Sequence, residues 1–312
     1  MSVRYACEVD AAAVTAIDVH VHIEKDHSGH MSLPGDVLEA AARYFRAPTE
    51  REVVEQTAAH YRERNMAAVV FTVDATTQLG HAPNSVDDLV AGAADNADVL
   101  IPFGSVDPRR DDALDELHRQ VDLGVRGFKF HPTLQGFDPS DEAYSPVFGA
   151  IEEAGLVALV HTGQTGIGAH MPGGFGLRLR YSNPMLLDDV AAAHPDLTLI
   201  MAHPSVPWQD EAISVATHKG NAYIDLSGWS PKYFPAQLVR QAGRLLQDKV
   251  LFGSDFPLLS PDRWVADAAA LDWSETVREK IMRGNAARIL GLVGERGNEA
   301  DSTTGSGGTG DA

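Results

Sequence analysis

Seven residues able to bind a metal or move a proton stand at, or just after, the end of a short apolar run. His20 and His22 close AIDVHVH, Lys129 and His131 close VRGFKFH, His161 follows LVALV, His203 follows LTLIMA, and Asp255 follows VLFGS. Side chains two apart on a strand share a side. His20 and His22 therefore offer a pair of imidazoles in one direction, an arrangement suited to chelation. Two surface histidines in a following loop are the plainer alternative; the neighbouring Asp18 and the position at the end of the first run favour a site. A lone histidine after an apolar run is more often a buried, hydrogen-bonded residue than a ligand. Two of them, His161 and His203, joined by the His-x-His pair and Asp255, make a metal site the more economical reading. Neutral imidazole and carboxylate suit Zn²⁺, and also Mn²⁺, Fe²⁺ or Co²⁺. Asp255 is the general-base candidate, because a carboxylate touching both a metal and its water can take the proton of a water whose pKa the metal lowers towards about 7.

These residues need a frame that brings together positions spread over most of the chain. Eight short apolar runs recur: 16–21, 67–73, 99–106, 125–130, 156–160, 197–202, 222–226 and 250–253. Short runs without polar alternation are what strands buried on both faces look like. Helical patterns lie between them: 49–64, opening on a Thr-x-x-Glu-like signal; 111–123, with Leu114, Leu117 and Val121 as one stripe; then 188–193, 235–246 and 273–290. The reading is α/β, a single (β/α)₈ TIM barrel, over an open doubly wound sheet. Such a barrel takes about 250 residues and carries its active site at the C-terminal ends of the strands, where the seven residues stand. The chain divides into an N-terminal extension, 1–13, the barrel, 14–296, and a Gly/Ser-rich tail, 297–312, expected to be flexible.

Composition narrows the partners. With 25 Lys and Arg against 44 Asp and Glu, the formal net charge of the 312 residues is −19. That balance argues against a general nucleic-acid binder. One cysteine, Cys7, excludes an intrachain disulfide and a multi-cysteine metal site. No apolar stretch is long enough to span a membrane. The opening MSVRYACEVD lacks the marks of a secretory signal, so a cytoplasmic enzyme acting on a small molecule is expected.

IDVHVHIE, GFKFHP, LVHTG, IMAHPS, LFGSDFP and NAARILGL, in this order and spacing, resemble the amidohydrolase superfamily over residues 14–292, most closely the branch that includes the aminocarboxymuconate-semialdehyde decarboxylases. The resemblance implies a barrel of the metal-dependent hydrolase type with one divalent metal, most often Zn²⁺, held by His20, His22, His161 and Asp255, with His203 beside it to polarise or protonate the substrate. It leaves Lys129 and His131 as substrate contacts or second-metal ligands; in binuclear relatives a lysine at the Lys129 position is carboxylated. Residues 207–235 are similar to a narrower group, the 4-hydroxyphenyl-β-ketoacyl-CoA hydrolases. That likeness implies C–C hydrolysis of an aromatic β-ketoacyl-CoA by metal-activated water, giving an aromatic acid and acetyl-CoA. The alternative is a metal-dependent decarboxylase of a small aromatic or muconate-type acid, with Arg178 or Arg180 clamping the carboxylate. A barrel that binds metal or ligand without turnover is a third, minor alternative.

On an acidic protein an acyl-CoA requires a basic mouth, for which Arg109, Arg110, Arg178, Arg180 and Lys232 are the candidates. Trp208, Trp229, Tyr233 and Phe234 are candidates for an aromatic wall. The Gly-rich stretch 163–176 reads as a loop over the site with His170 as a contact, and 24–30 as a solvated loop. A homodimer is expected from such loops. His60, His118, His194 and His218 read as ordinary surface residues.

Overall fold

The computed structural model describes residues 3–292; the tail expected at 297–312 lies outside them. Eight parallel strands run in chain order: β1 (Ala16–His22), β2 (Met66–Phe71), β3 (Leu100–Pro102), β4 (Gly127–Phe130), β5 (Val157–His161), β6 (Thr198–Ala202), β7 (Ala222–Asp225) and β8 (Val250–Leu251). The ladder forms a three-stranded sheet, β1-β2-β3, and a five-stranded one, β4 to β8. Hydrogen bonds cross both remaining seams. At β3/β4 Gly104 donates to Gly127 and Lys129 to Gly104; at β8/β1 Val19 donates to Phe252, Asp255 to His20 and His22 to Phe256. This is the (β/α)₈ barrel that the eight runs predict.

The runs are apolar throughout because the strands divide their side chains between two cores. In β2, Ala67, Val69 and Phe71 point into the barrel with Leu159 of β5 and Ile200 of β6. Their neighbours Ala68 and Val70 face the helical layer with Val160 and Met201. Both sets are fully or almost fully buried, so no polar alternation marks either face.

The helices differ more from expectation. The one expected to start at Thr49 spans Val54–Arg62 and is capped by the Gln56 side chain, which accepts the Val53 N–H. Helix Ala113–Asp122 buries Leu117, but Leu114 of the expected stripe is solvent-facing. Helices Gly35–Phe45, Val86–Ala94, Ser145–Glu153, Gln209–His218 and Pro261–Ala268 add to those expected. The stretch read as one helix over 273–290 is Glu275–Glu279 and Asn285–Ile289 joined by a π-helical turn, Lys280–Gly284. The turn coincides with a job for a backbone carbonyl: that of Ile281 accepts the N–H of Phe252 at the end of β8, 2.8 Å away.

Candidate active site

The first strand brings its two histidines inward by breaking its own alternation. Ile17 and Val19 point into the barrel. Continued alternation would turn His20 outward. A register irregularity against β2 between Asp18 and Val21 flips the phase, so Val21 joins the outer core while His20 and His22 both meet the inward-facing ring of Phe71, centroids 5.1 and 4.8 Å away. Asp18 is left on the other side. Its carboxylate accepts from the Tyr61 hydroxyl at 2.7 Å and from the Ser254 backbone at 2.9 Å. Burial raises its pKa to about 6, against the pull of those hydrogen bonds.

The orientation of His20 is set by Asp225, the last residue of β7. His20 Nδ1 donates to Asp225 Oδ2 at 2.9 Å, which leaves Nε2 with the lone pair. Ser227 passes the same instruction on: its hydroxyl donates to Asp225, and its oxygen accepts from His203 Nδ1 at 2.8 Å. One buried carboxylate thus fixes two imidazoles, each with its Nε2 lone pair turned towards the centre. Burial lowers the pKa of His20 to about 3 and lowers that of His203 as well, so both are neutral at pH 7. Burial also works against the Asp225 carboxylate, but His20, His203 and Ser227 outweigh it and hold the group well below the usual carboxylate range.

Asp255 completes the centre. Its Oδ1 lies 3.3 Å from His20 Nε2 and 3.2 Å from His22 Nε2. The His22 hydrogen bond and the neighbouring imidazoles keep it ionised despite burial. Ligand atoms of His20, His203 and Asp255 lie within 4.8 Å of one another. Both His203 and Asp255 adopt the left-handed backbone region, φ 77° and 74°. Such a conformation costs a non-glycine residue on the order of 1–3 kcal/mol and concentrates at functional sites. Between them sits Gly228, where a Cβ would fall 2.7 Å from His203 Nδ1.

His161, the end of β5, stacks on His131 with ring centroids 3.7 Å apart and planes 10° from parallel. Its Nε2 is buried without a hydrogen-bond partner. Lys129 is fully buried; its Nζ donates to His20 Nε2 at 3.0 Å, and burial lowers its pKa to about 8, so it remains a cation at neutral pH.

These residues floor a cleft of about 850 Å³, open to solvent and built from loops at the C-terminal strand ends. Trp229 lines it, as do Leu33, Tyr44, Phe45, Leu134 and Ile167. The stretch 163–176 supplies one wall through residues 164–167, whereas His170 is exposed beside Tyr44. The loop read as solvated is partly buried: Glu24 lines the cleft, paired with buried Arg51, and Asp26 is buried too.

Several candidates lie elsewhere. Arg178 and Arg180 are exposed and donate to the Tyr181 hydroxyl. Arg109 donates to Gln78, Arg110 pairs with Asp112, and Lys232 lies over the exposed Tyr233 ring. Of the four proposed wall aromatics, only Trp229 faces the cleft; Phe234 packs on Trp264 in the core. His118 and His218 are exposed, but His194 is buried between Ser145 and Glu152, and His60 packs on Phe256. Sequence reasoning missed Asp225, although a polar residue ending AYID at the seventh run obeys the same strand-end rule as the other seven residues.

Residues 17–292 match the amidohydrolase family, and the chain belongs to it. It is an enzyme of the amidohydrolase superfamily. No curated protein matches. Among solved structures it is similar to an uncharacterised TIM-barrel protein from Bordetella bronchiseptica, with 22% identity and TM-score 0.72 over 89% of this chain and 98% of that one. It is also similar to a dihydroxybenzoic acid decarboxylase from Polaromonas, solved with manganese and the inhibitor 2-nitroresorcinol (16%, 0.64, 89% and 97%). A third is a 5-carboxyvanillate decarboxylase from Sphingomonas paucimobilis (18%, 0.62, 90% and 100%). At these identities the likenesses speak for the fold. Among the described residues no helix is long and apolar enough to cross a membrane.

Proposed function

We propose that this protein is a metal-dependent decarboxylase acting on a small aromatic or muconate-type acid. One observation carries the reading: the imidazole–carboxylate centre opens into an apolar, aromatic cleft whose lining holds a single lysine or arginine, Lys129. One buried cation suits one substrate carboxylate. The several phosphate charges of a CoA thioester would have no cationic partner inside, since all five basic-mouth candidates lie outside the lining. Aryl-CoA hydrolysis rests on the likeness of residues 207–235 alone, whereas the decarboxylase neighbours favour the smaller acid.

The donor set fits a divalent metal. His161 Nε2 is a buried nitrogen without a partner, and imidazole and carboxylate atoms already converge beside it. His20, His22, His161 and Asp255 would hold the metal, with His203 adjacent. When bound, such an ion polarises a substrate oxygen as a Lewis acid. Lys129, the cation of the lining, would pair with the substrate carboxylate. Asp255 is ionised, so it starts as an acceptor: it takes a proton from a substrate hydroxyl or a water and returns it to the carbon that loses CO₂. His203, neutral and fixed through Ser227, offers Nε2 to the same centre.

The test is product analysis together with elemental analysis. CO₂ released from aromatic acids, abolished by chelation and restored by added metal, is expected. Acetyl-CoA released from β-ketoacyl-CoA esters, with no CO₂ from any aromatic acid, would replace this reading by the hydrolase.

A further inference from the structure

We infer that His131 is a fixed, neutral hydrogen-bond donor of the cleft, presenting Nε2–H to an anionic oxygen of the bound acid and taking no part in holding metal. The inference rests on the decarboxylase reading for the nature of the ligand and on geometry for the role. His131 follows β4 directly and caps the short helix Pro132–Gln135. Its Nδ1 accepts the Leu134 backbone N–H at 3.2 Å, while its own backbone N–H donates to Gln135 Oε1 at 2.8 Å. The cap is anchored in turn, because the buried Gln135 amide donates to the carbonyls of Asp74 and Val106 at 2.7 and 2.8 Å.

A neutral imidazole has one lone pair and one N–H. With the lone pair spent on Leu134, the proton belongs to Nε2, and no lone pair is left for a metal. Turning the ring over would put Cδ2 where Nδ1 accepts the Leu134 N–H and break the cap, while the stack on His161, 3.7 Å away, holds the ring plane. It lines the cleft, and among the described residues no protein acceptor meets Nε2. Lys129 comes from the same strand end, two residues earlier, and lines the same cleft. Together they supply a cation and a neutral donor, enough for the two oxygens of one carboxylate or for a carboxylate and an adjacent phenolate. A second cation would bind an acid more tightly but would also lower the affinity of the neighbouring imidazoles for metal. A neutral donor avoids that cost.

His131→Asn separates the roles. Asn is a good cap, so its carbonyl keeps the Leu134 N–H while the donor is withdrawn from the cleft. His131→Phe removes both functions but preserves an aromatic ring against His161. Each chain is loaded with Zn²⁺, its metal content is measured, and the binding of benzoate and salicylate is titrated. Full metal content in His131→Asn, with benzoate affinity about ten- to a hundredfold weaker, is expected. Metal content that falls in His131→Asn relative to the unmodified protein would overturn the inference, as would equal benzoate binding at equal metal content. An unmodified protein that takes up no metal would instead overturn the decarboxylase reading.

Discussion

Replacing Asp225 by Asn changes almost no volume, yet it should move the proton on His20. Asp225 Oδ1 accepts the backbone N–H groups of Ser227 and His203, at 2.8 and 3.2 Å, and Oδ2 accepts His20 Nδ1–H at 2.9 Å. An asparagine has one acceptor oxygen and one NH₂. Two backbone donors hold the oxygen on their side, so the NH₂ turns to His20. A donor facing Nδ1 requires a lone pair there, which shifts the imidazole proton to Nε2. That is the atom lying 3.0 Å from Lys129 Nζ and 3.3 Å from Asp255, and in the new tautomer it has nothing to offer a metal. Loss of a partner that orients a ligating histidine typically weakens metal binding about 10- to 100-fold, or about 1.4–2.7 kcal/mol. Competition for Zn²⁺ against a chromophoric chelator reads the affinity, and imidazole ¹⁵N shifts read the tautomer. Unchanged affinity with the proton still on Nδ1 would refute the argument that Asp225 sets the His20 lone pair.

Gly228→Ala places a methyl 2.7 Å from His203 Nδ1 at a φ of +74°; it should cost about 1–2 kcal/mol in backbone strain and lower kcat by displacing His203, and unchanged thermal stability with unchanged kcat would contradict this. Trp264 is completely buried and donates to the Leu226 carbonyl at 3.0 Å. Trp264→Ala should therefore lose about 3–5 kcal/mol in denaturant titration, and a loss below about 1 kcal/mol would refute its place in the core. His27 bridges Asp88 and Glu55, both at 2.7 Å, and these hydrogen bonds raise its pKa above 6.5. Because the folded value is raised, the stabilisation is fully present below pH 6.5 and fades as pH rises through the folded midpoint. An NMR titration with a midpoint at or below 6.5 would show that the bridge does not form in solution.

The strands were legible because burial on two faces writes itself as uninterrupted apolar runs. With the strands came the strand-end rule that located His20, Lys129, His161, His203 and Asp255. What stayed hidden was of three kinds. The phase flip in β1 depends on its pairing with β2, and a His-x-His pattern reads identically on either face. Asp225 was readable by the same rule but lay at the end of AYID, without the histidines that drew attention to four of the other five ends. The cleft wall comes from loops and from Tyr44 and Phe45 at the end of helix Gly35–Phe45, whose positions follow from tertiary packing. Arg178 and Arg180 show the reverse error: they follow a strand end in sequence, yet the intervening loop carries them out to Tyr181.

The seam between β8 and β1 bears on how the protein is made. Asp18 and Ser254 are 236 positions apart, and His20 and Asp225 are 205 apart. During synthesis the first strand leaves the ribosome with its histidines and one open edge long before the residues that close it exist. At about 5–20 residues per second, that wait is on the order of ten seconds or more. No metal can rescue the nascent chain early, because the donor set exists only after residue 255 has joined it. The proposed metal would therefore bind last, to strands already assembled, rather than nucleate their folding.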